Sequence, residues 1–197
     1  MLPRRLVYLS TSGVYGDCAG AWIDESRAPR PQTDRARRRL DAEEAVSEWG
    51  ARSKVEIVIL RVPGIYASDR LPLERLARGT PAILPEEDVY TNHIHADDLA
   101  SILVAALESD AAGGVYNASD DGPMKMGDFF DLVADRSGHA RPPRVSRREA
   151  AGLLSPELLS FMGESRRLSN RRMKAELGVR LNYPTVAEGV PGFRETA

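Results

Sequence analysis

The feature that most constrains this chain is the run from Val55 to Arg61, Val-Glu-Ile-Val-Ile-Leu-Arg, apolar apart from Glu56 and the closing arginine. A strand this apolar must be covered on both faces, which is the condition of a parallel sheet flanked by helices. The surrounding pattern agrees. A helix is predicted from Thr33 or Asp34, either of which can cap it, to about Trp49, with Ala36, Leu40, Ala45, Val46 and Trp49 near one face. Leu6 to Ser10 reads as a short buried strand, and Gly114 to Ala118 as another. Ala96 to Glu108 reads as a helix with Leu99, Ile102, Leu103, Ala106 and Leu107 on its apolar face, and Asp97 and Asp98 in the first turn suit its dipole. Strands alternating with helices define the α/β class.

Downstream, Leu71–Arg78 reads as a short helix, Thr91–His95 as extended chain and Met126–Ser137 as a helix ended by Gly138. Arg141–Arg144 is extended, and Glu149–Met162 is helical with a break near Ser155-Pro156. Asn170–Leu177 is a helix stopped by Gly178, and Tyr183-Pro184 opens a last turn and short helix. The expected division is 1–125 for sheet and interleaved segments, and 126–197 for a mainly helical lobe.

With 197 residues there is room for a real core. A net charge of −2 gives no field directed at nucleic acid or an anionic membrane, and neither is expected as a partner. The arginine clusters at 35–39, 144–148 and 166–172 are interrupted or followed by Asp or Glu and read as solvated helix faces. Cys18 is the single cysteine, so no intrachain disulfide forms, and a cytoplasmic location is the expectation. His93 and His95 alternate along one strand, but without paired carboxylates or thiols beside them no metal site is expected.

Five segments in order resemble the extended short-chain dehydrogenase/reductase superfamily, that is, the NAD-dependent epimerases and dehydratases. They are Ser10-Thr-Ser-Gly-Val-Tyr-Gly16 after a strand, Leu60-Arg-Val-Pro-Gly-Ile-Tyr66, Asn92-His-Ile-His-Ala-Asp-Asp-Leu-Ala100, Val115-Tyr-Asn117 and Asn170-Arg-Arg-Met-Lys-Ala-Glu-Leu-Gly178. The details are most similar to an atypical subgroup. The resemblance implies a partial Rossmann-like sheet of about three parallel strands with a small helical C-terminal lobe that binds substrate. It also implies NAD or NADP as cofactor and a nucleotide sugar or related small carbonyl compound as substrate.

Two family features have no counterpart. No strand–GxxGxxG–helix unit is present to receive a pyrophosphate, so this chain alone is expected to show no measurable NAD or NADP binding. The family's YxxxK pair falls on Arg35 and Arg39. A guanidinium does not give up its proton, so Arg35 cannot replace the tyrosine. Arg39 can still replace the lysine's hydrogen bonds to a ribose.

By resemblance, Thr11 is the catalytic hydroxyl, although a strand-end turn would use the same hydroxyl on its own backbone. Ser10, Arg39, Pro63, Gly64 and Ile65 would contact the cofactor, and Ser12, Tyr66 and His95 the substrate; a plain loop, core packing and a hydrogen-bonded structural histidine are the respective alternatives. Tyr15 and Tyr66 are the nearest phenols to the missing one, with packing the more ordinary role. If the first strand has no inner neighbour, its open edge invites self-association. Two functions follow as expectations: a family oxidoreductase or isomerase, completed by a part of the fold outside this chain, or a non-catalytic sensing or interaction protein that keeps the fold without the Tyr/Lys chemistry.

Overall fold

The computed structural model describes residues 1–192. Its centre is a three-stranded parallel sheet in the order β1 (Arg5–Thr11), β2 (Glu56–Val62), β5 (Gly114–Asn117). The pairing runs in register from Arg5 opposite Glu56 to Thr11 opposite Val62, and from Val58 opposite Gly114 to Arg61 opposite Asn117. Helix α1 (Asp34–Ser53) covers one face of β2, and helices α3 (Ala96–Glu108) and α7 (Arg171–Leu177) cover the other.

The two-sided burial inferred for the Val55–Arg61 run has a direct basis. Val58, Leu60 and Val62 pack with Leu99, Ile102, Tyr116 and Met173. The alternate residues Ile57, Ile59 and Arg61 point to α1, where a side chain at Gly50 would come within 2.2 Å of Ile57. That close approach explains why α1 runs on to Ser53 and not to Trp49: Gly50 is a contact point and not a stop, and Lys54 ends the helix in the left-handed region at φ 56°. Thr33 is the N-cap, accepting the Ala36 amide at 3.3 Å. The buried stripe is Ala36, Glu43 and Gly50, whereas Ala45 is exposed.

After β2, Pro63 breaks the ladder, and the chain resumes as β3 (Gly64–Tyr66) beside β4 (His93–His95). The helical lobe consists of α2 (Leu73–Ala77), α4 (Met126–Ser137), α5 (Arg147–Leu153), α6 (Pro156–Phe161) and α8 (Val186–Gly189). Its core is built from Tyr66, Ile83, Phe129, Phe130, Val133, Met162 and Val186.

Not every polar cluster is a solvated face. Arg144 lies among Asp88, Asp128 and Asp131, 2.7 Å from the last. Arg167 belongs to a short strand, Arg167–Leu168, paired with Trp22–Ile23, and Arg166 just before it donates to the Gly16 carbonyl at 2.8 Å. Arg172 stacks on Tyr116, its Cζ 4.8 Å from the ring centre, and donates to the Val115 carbonyl. Asp98 is also more than a dipole partner. It is fully buried and accepts three N–H bonds from Asn182 and Tyr183, which fastens the C-terminal segment to α3. The cap of α3 is His95, whose Nδ1 accepts the Asp97 amide at 3.2 Å.

β1 pairs only with β2 among the described strands, so its other edge is open, with Leu9 39% exposed. No helix among the described residues is long and apolar enough to cross a membrane.

Candidate active site

The C-terminal ends of β1 and β2 open onto a cavity of about 550 Å³. Clefts outside the carboxyl ends of parallel strands are where α/β sheets hold ligands. Thr11, Ser12 and Gly13 line it from β1; Arg35, Ala36 and Arg39 from α1; Pro63 and Gly64 from the end of β2. The opposite wall is the helical lobe, with Arg75, Met126, Phe130, Leu158, Phe161 and Met162. Thr33, Tyr90, Thr91, Asn92, Glu164 and Arg166 complete it.

The site candidates therefore divide. Thr11, Ser12, Arg39, Pro63 and Gly64 come together on this cavity; Ser10, Ile65, Tyr66 and His95 do not line it. Ile65 is exposed elsewhere. Ser10 is buried beneath the cavity floor and donates its hydroxyl hydrogen bond to Glu43. Glu43 in turn holds Arg61 through Nε at 3.2 Å and Nη2 at 2.7 Å, and the Arg61 guanidinium lies 4.6 Å from the Tyr15 ring centre. Tyr15 donates to Asn117 at 2.9 Å, and burial raises its pKa above the ordinary phenol value. Both phenols suggested by sequence are thus in the interior. The phenol that lines the cavity is Tyr90, with Lys125 and Arg167 near its ring at 4.8 and 4.6 Å.

The Thr11 hydroxyl accepts the Gly13 amide at 3.2 Å, so its own proton remains available to a ligand oxygen. Arg39 donates to Tyr8 at 3.1 Å with one Nη1 proton and keeps its other donors. No motif pointed to the contributions of Arg75, Phe130 and Phe161, which come from helices distant in sequence; only the folded lobe places them at the strand ends.

Behind the cavity is a buried polar layer containing Tyr66, His93, His95 and Asp120. Tyr66 donates to the Thr185 carbonyl at 3.3 Å, and its ring meets His95 edge-on at 5.2 Å. His93 stacks on Phe129 at 4.3 Å, and burial lowers its pKa to about 4. Asp120 takes the Gly122 amide on one oxygen, while its other oxygen is buried and unpartnered among the described residues. Burial first, then the charges of Asp121 and Asp98, push its pKa up to about 7. These two groups act on stability in opposite senses. Asp120 holds a proton in the native state that the unfolded chain loses above about pH 4, so its contribution falls as pH rises toward 7. His93 refuses a proton that the unfolded chain accepts below about pH 6.5, so its contribution rises with pH up to that value. The stability of Asp120→Asn relative to the parent is therefore expected to grow from about pH 4 to 7, by at most about 1.4 kcal/mol per unit, and then level off. Urea unfolding at a series of pH values measures this, and a flat difference would contradict the burial of this carboxyl group.

No group of three or more metal-ligating side chains forms among the described residues. The nicotinamide–ribose end of a dinucleotide fits what is present: a hydroxyl at Thr11, a small residue at Gly64 and guanidinium donors at Arg39. The pyrophosphate end does not fit, because no glycine-rich turn leads from a described strand into a helix N-terminus.

A parallel sheet covered on both faces, with its cavity at the strand ends between sheet and helical lobe, defines a Rossmann-like α/β protein. The NAD dependent epimerase/dehydratase family model matches residues 2–119, and the chain belongs to that family. A conserved Silicibacter pomeroyi protein of unknown function is 37% identical, with TM-score 0.84 over 95% of this chain and 64% of its own. The Thermus thermophilus UDP-glucose 4-epimerase in complex with NAD is 24% identical, with TM-score 0.73 over 95% of this chain and 61% of its own. The Bacillus cereus UDP-glucuronic acid 4-epimerase, also with NAD, is 17% identical, with TM-score 0.73 over 94% of this chain and 58% of its own. At these identities the two epimerases share the fold alone. The chain thus spans 58 to 64% of the length of these structures. A search of the curated proteins finds no match.

Proposed function

We propose that these residues form the substrate wall and the nicotinamide end of an NAD(P)-dependent epimerase, dehydratase or reductase acting on a nucleotide sugar or related small carbonyl compound. The observation that carries this reading is the meeting of Thr11, Arg39, Pro63 and Gly64 with the helical lobe on one cavity at the strand ends. In this reading Thr11 donates a hydrogen bond to the reacting oxygen of the substrate, and Arg39 donates to ribose hydroxyls. When bound, the nicotinamide supplies hydride exchange. The pyrophosphate is held by polypeptide outside these residues, which would pair along the open edge of β1. A second copy of the chain on that edge is the other way to cover it.

Arg35 favours a second reading, a non-catalytic relative that binds ligand without turnover, because it occupies the place of the proton-transferring tyrosine. Of the cavity-lining side chains, Tyr90 and Glu164 can exchange protons, and Glu164 is engaged by Arg166 at 2.8 Å.

The test is to join this chain to the part of the Silicibacter pomeroyi protein outside the aligned region and to assay UDP-glucose and UDP-glucuronic acid with NAD. Turnover that falls about 10²-fold or more on Thr11→Ala is expected. A completed protein that binds NAD and converts neither compound would favour the second reading.

A further inference from the structure

The cavity holds an excess of positive charge close to Thr11. Four guanidiniums line it: Arg35, Arg39, Arg75 and Arg166. Only Arg166 has a carboxylate partner there, Glu164; Arg35, Arg39 and Arg75 make no salt bridge among the described residues. Two of the unpaired three lie over aromatic rings of the lobe. The Cζ of Arg35 is 3.8 Å from the Phe161 ring centre, and that of Arg75 is 4.4 Å from the Phe130 ring centre. A ring on one face leaves the in-plane N–H groups free and fixes the fork, which is the preorganisation that bidentate oxyanion binding uses.

Few of these donors are used. Arg35 gives one bond, to Ser160 at 3.2 Å, and Arg75 gives one, to the Pro81 carbonyl at 2.6 Å. The Nε groups of Arg75 and Arg166 are buried without any partner among the described residues. Burial with no opposing carboxylate also lowers the Arg75 pKa below the ordinary arginine value. Buried guanidinium donors left open in this way cost free energy unless something fills them. Pro63, Met126, Phe130, Leu158, Phe161 and Met162 make much of the remaining wall apolar, so an anion reaching the buried donors of Arg75 and Arg166 would exchange water for fixed donors in a medium that screens less than bulk water.

We propose that Arg35 and Arg75, supported by Arg39 and Arg166, are specificity-determining residues that select a substrate carrying a carboxylate or phosphate beside Thr11, on the part of the molecule that reacts. This rests on the reading that the cavity is the substrate site. It assigns Arg35, which cannot transfer a proton, the role of recognising charge at that position.

The probes are three matched sugars: glucose, glucuronate and glucose 6-phosphate. Each is titrated into the 197-residue chain, with its thermal unfolding and the heat of binding as readouts. At least one charged sugar is expected to bind at least tenfold more tightly than glucose, and which of the two does so separates carboxylate from phosphate. The double variant Arg35→Gln/Arg75→Gln should lose that tenfold preference. Should the double variant fail to fold, Arg39→Gln, whose side chain is exposed, is expected to weaken the same binding severalfold. Equal binding of all three sugars, no binding of either charged sugar, or a preference unchanged in the variants would overturn the proposal. No dinucleotide and no turnover enter this experiment, so its failure is distinct from a failure of the completed protein to act as an oxidoreductase.

Discussion

Glu43→Ala is expected to lower the unfolding free energy by about 3–5 kcal/mol, the usual result of leaving one member of a buried ion pair without its partner. Glu43 and Arg61 are 3% and 4% exposed, so neither can turn to solvent when the other is lost. In the variant, the Arg61 guanidinium would remain under the Tyr15 ring with no carboxylate, and Ser10 would lose its acceptor. The pair joins β2 to α1 directly below the cavity floor, so the variant should also loosen the turn that carries Thr11. Glu43→Leu combined with Arg61→Met removes both charges and keeps the volume, and should recover most of the loss. Urea unfolding of the single and double variants measures both effects. A loss below about 1 kcal/mol for Glu43→Ala would show that water reaches this pair.

Gly16→Ala is the second large effect, expected to cost about 3 kcal/mol through backbone strain and overpacking together. Gly16 has φ +66°, a conformation that L side chains rarely adopt, and an added Cβ would lie 2.2 Å from the Arg30 carbonyl oxygen. That oxygen is backbone and cannot swing away. The Gly16 carbonyl also receives the Arg166 guanidinium, so a shift there would propagate to the far wall of the cavity. A fall in thermal midpoint with weakened ligand binding is expected, and Gly79→Ala is the comparison. Gly79 also has positive φ, +62°, but nothing lies within 4 Å of an added Cβ, so only the conformational part of the cost should appear. Equal losses at the two positions would contradict the steric account of Gly16.

The elements that sequence revealed are those whose cause is local. Val55–Arg61 shows its two-sided burial in its own composition, and Met126–Ser137 ends at a glycine that takes the left-handed conformation. Ser10–Gly16 follows a strand and so places Thr11 at a strand end. The features not legible from sequence depend on partners far along the chain. Asp98 finds its donors at Asn182 and Tyr183, and Arg144 finds carboxylates on α4 and at Asp88; neither pattern exists before folding. Tyr66 and His95 sit in motifs that resemble site segments, but β3 and β4 turn both into the buried layer behind the cavity. One wall of the cavity comes from α2, α4 and α6, which supply Arg75, Phe130 and Phe161 without any recurring spacing to mark them.

In the proposed function, these residues build the substrate and nicotinamide end of a family site without the turn that receives the pyrophosphate. Calorimetric titration of the 197-residue chain with NAD and with NADP tests it most directly. The expected result is no saturable heat with either dinucleotide up to about 1 mM. Saturable binding of one dinucleotide per chain below that concentration would contradict the claim.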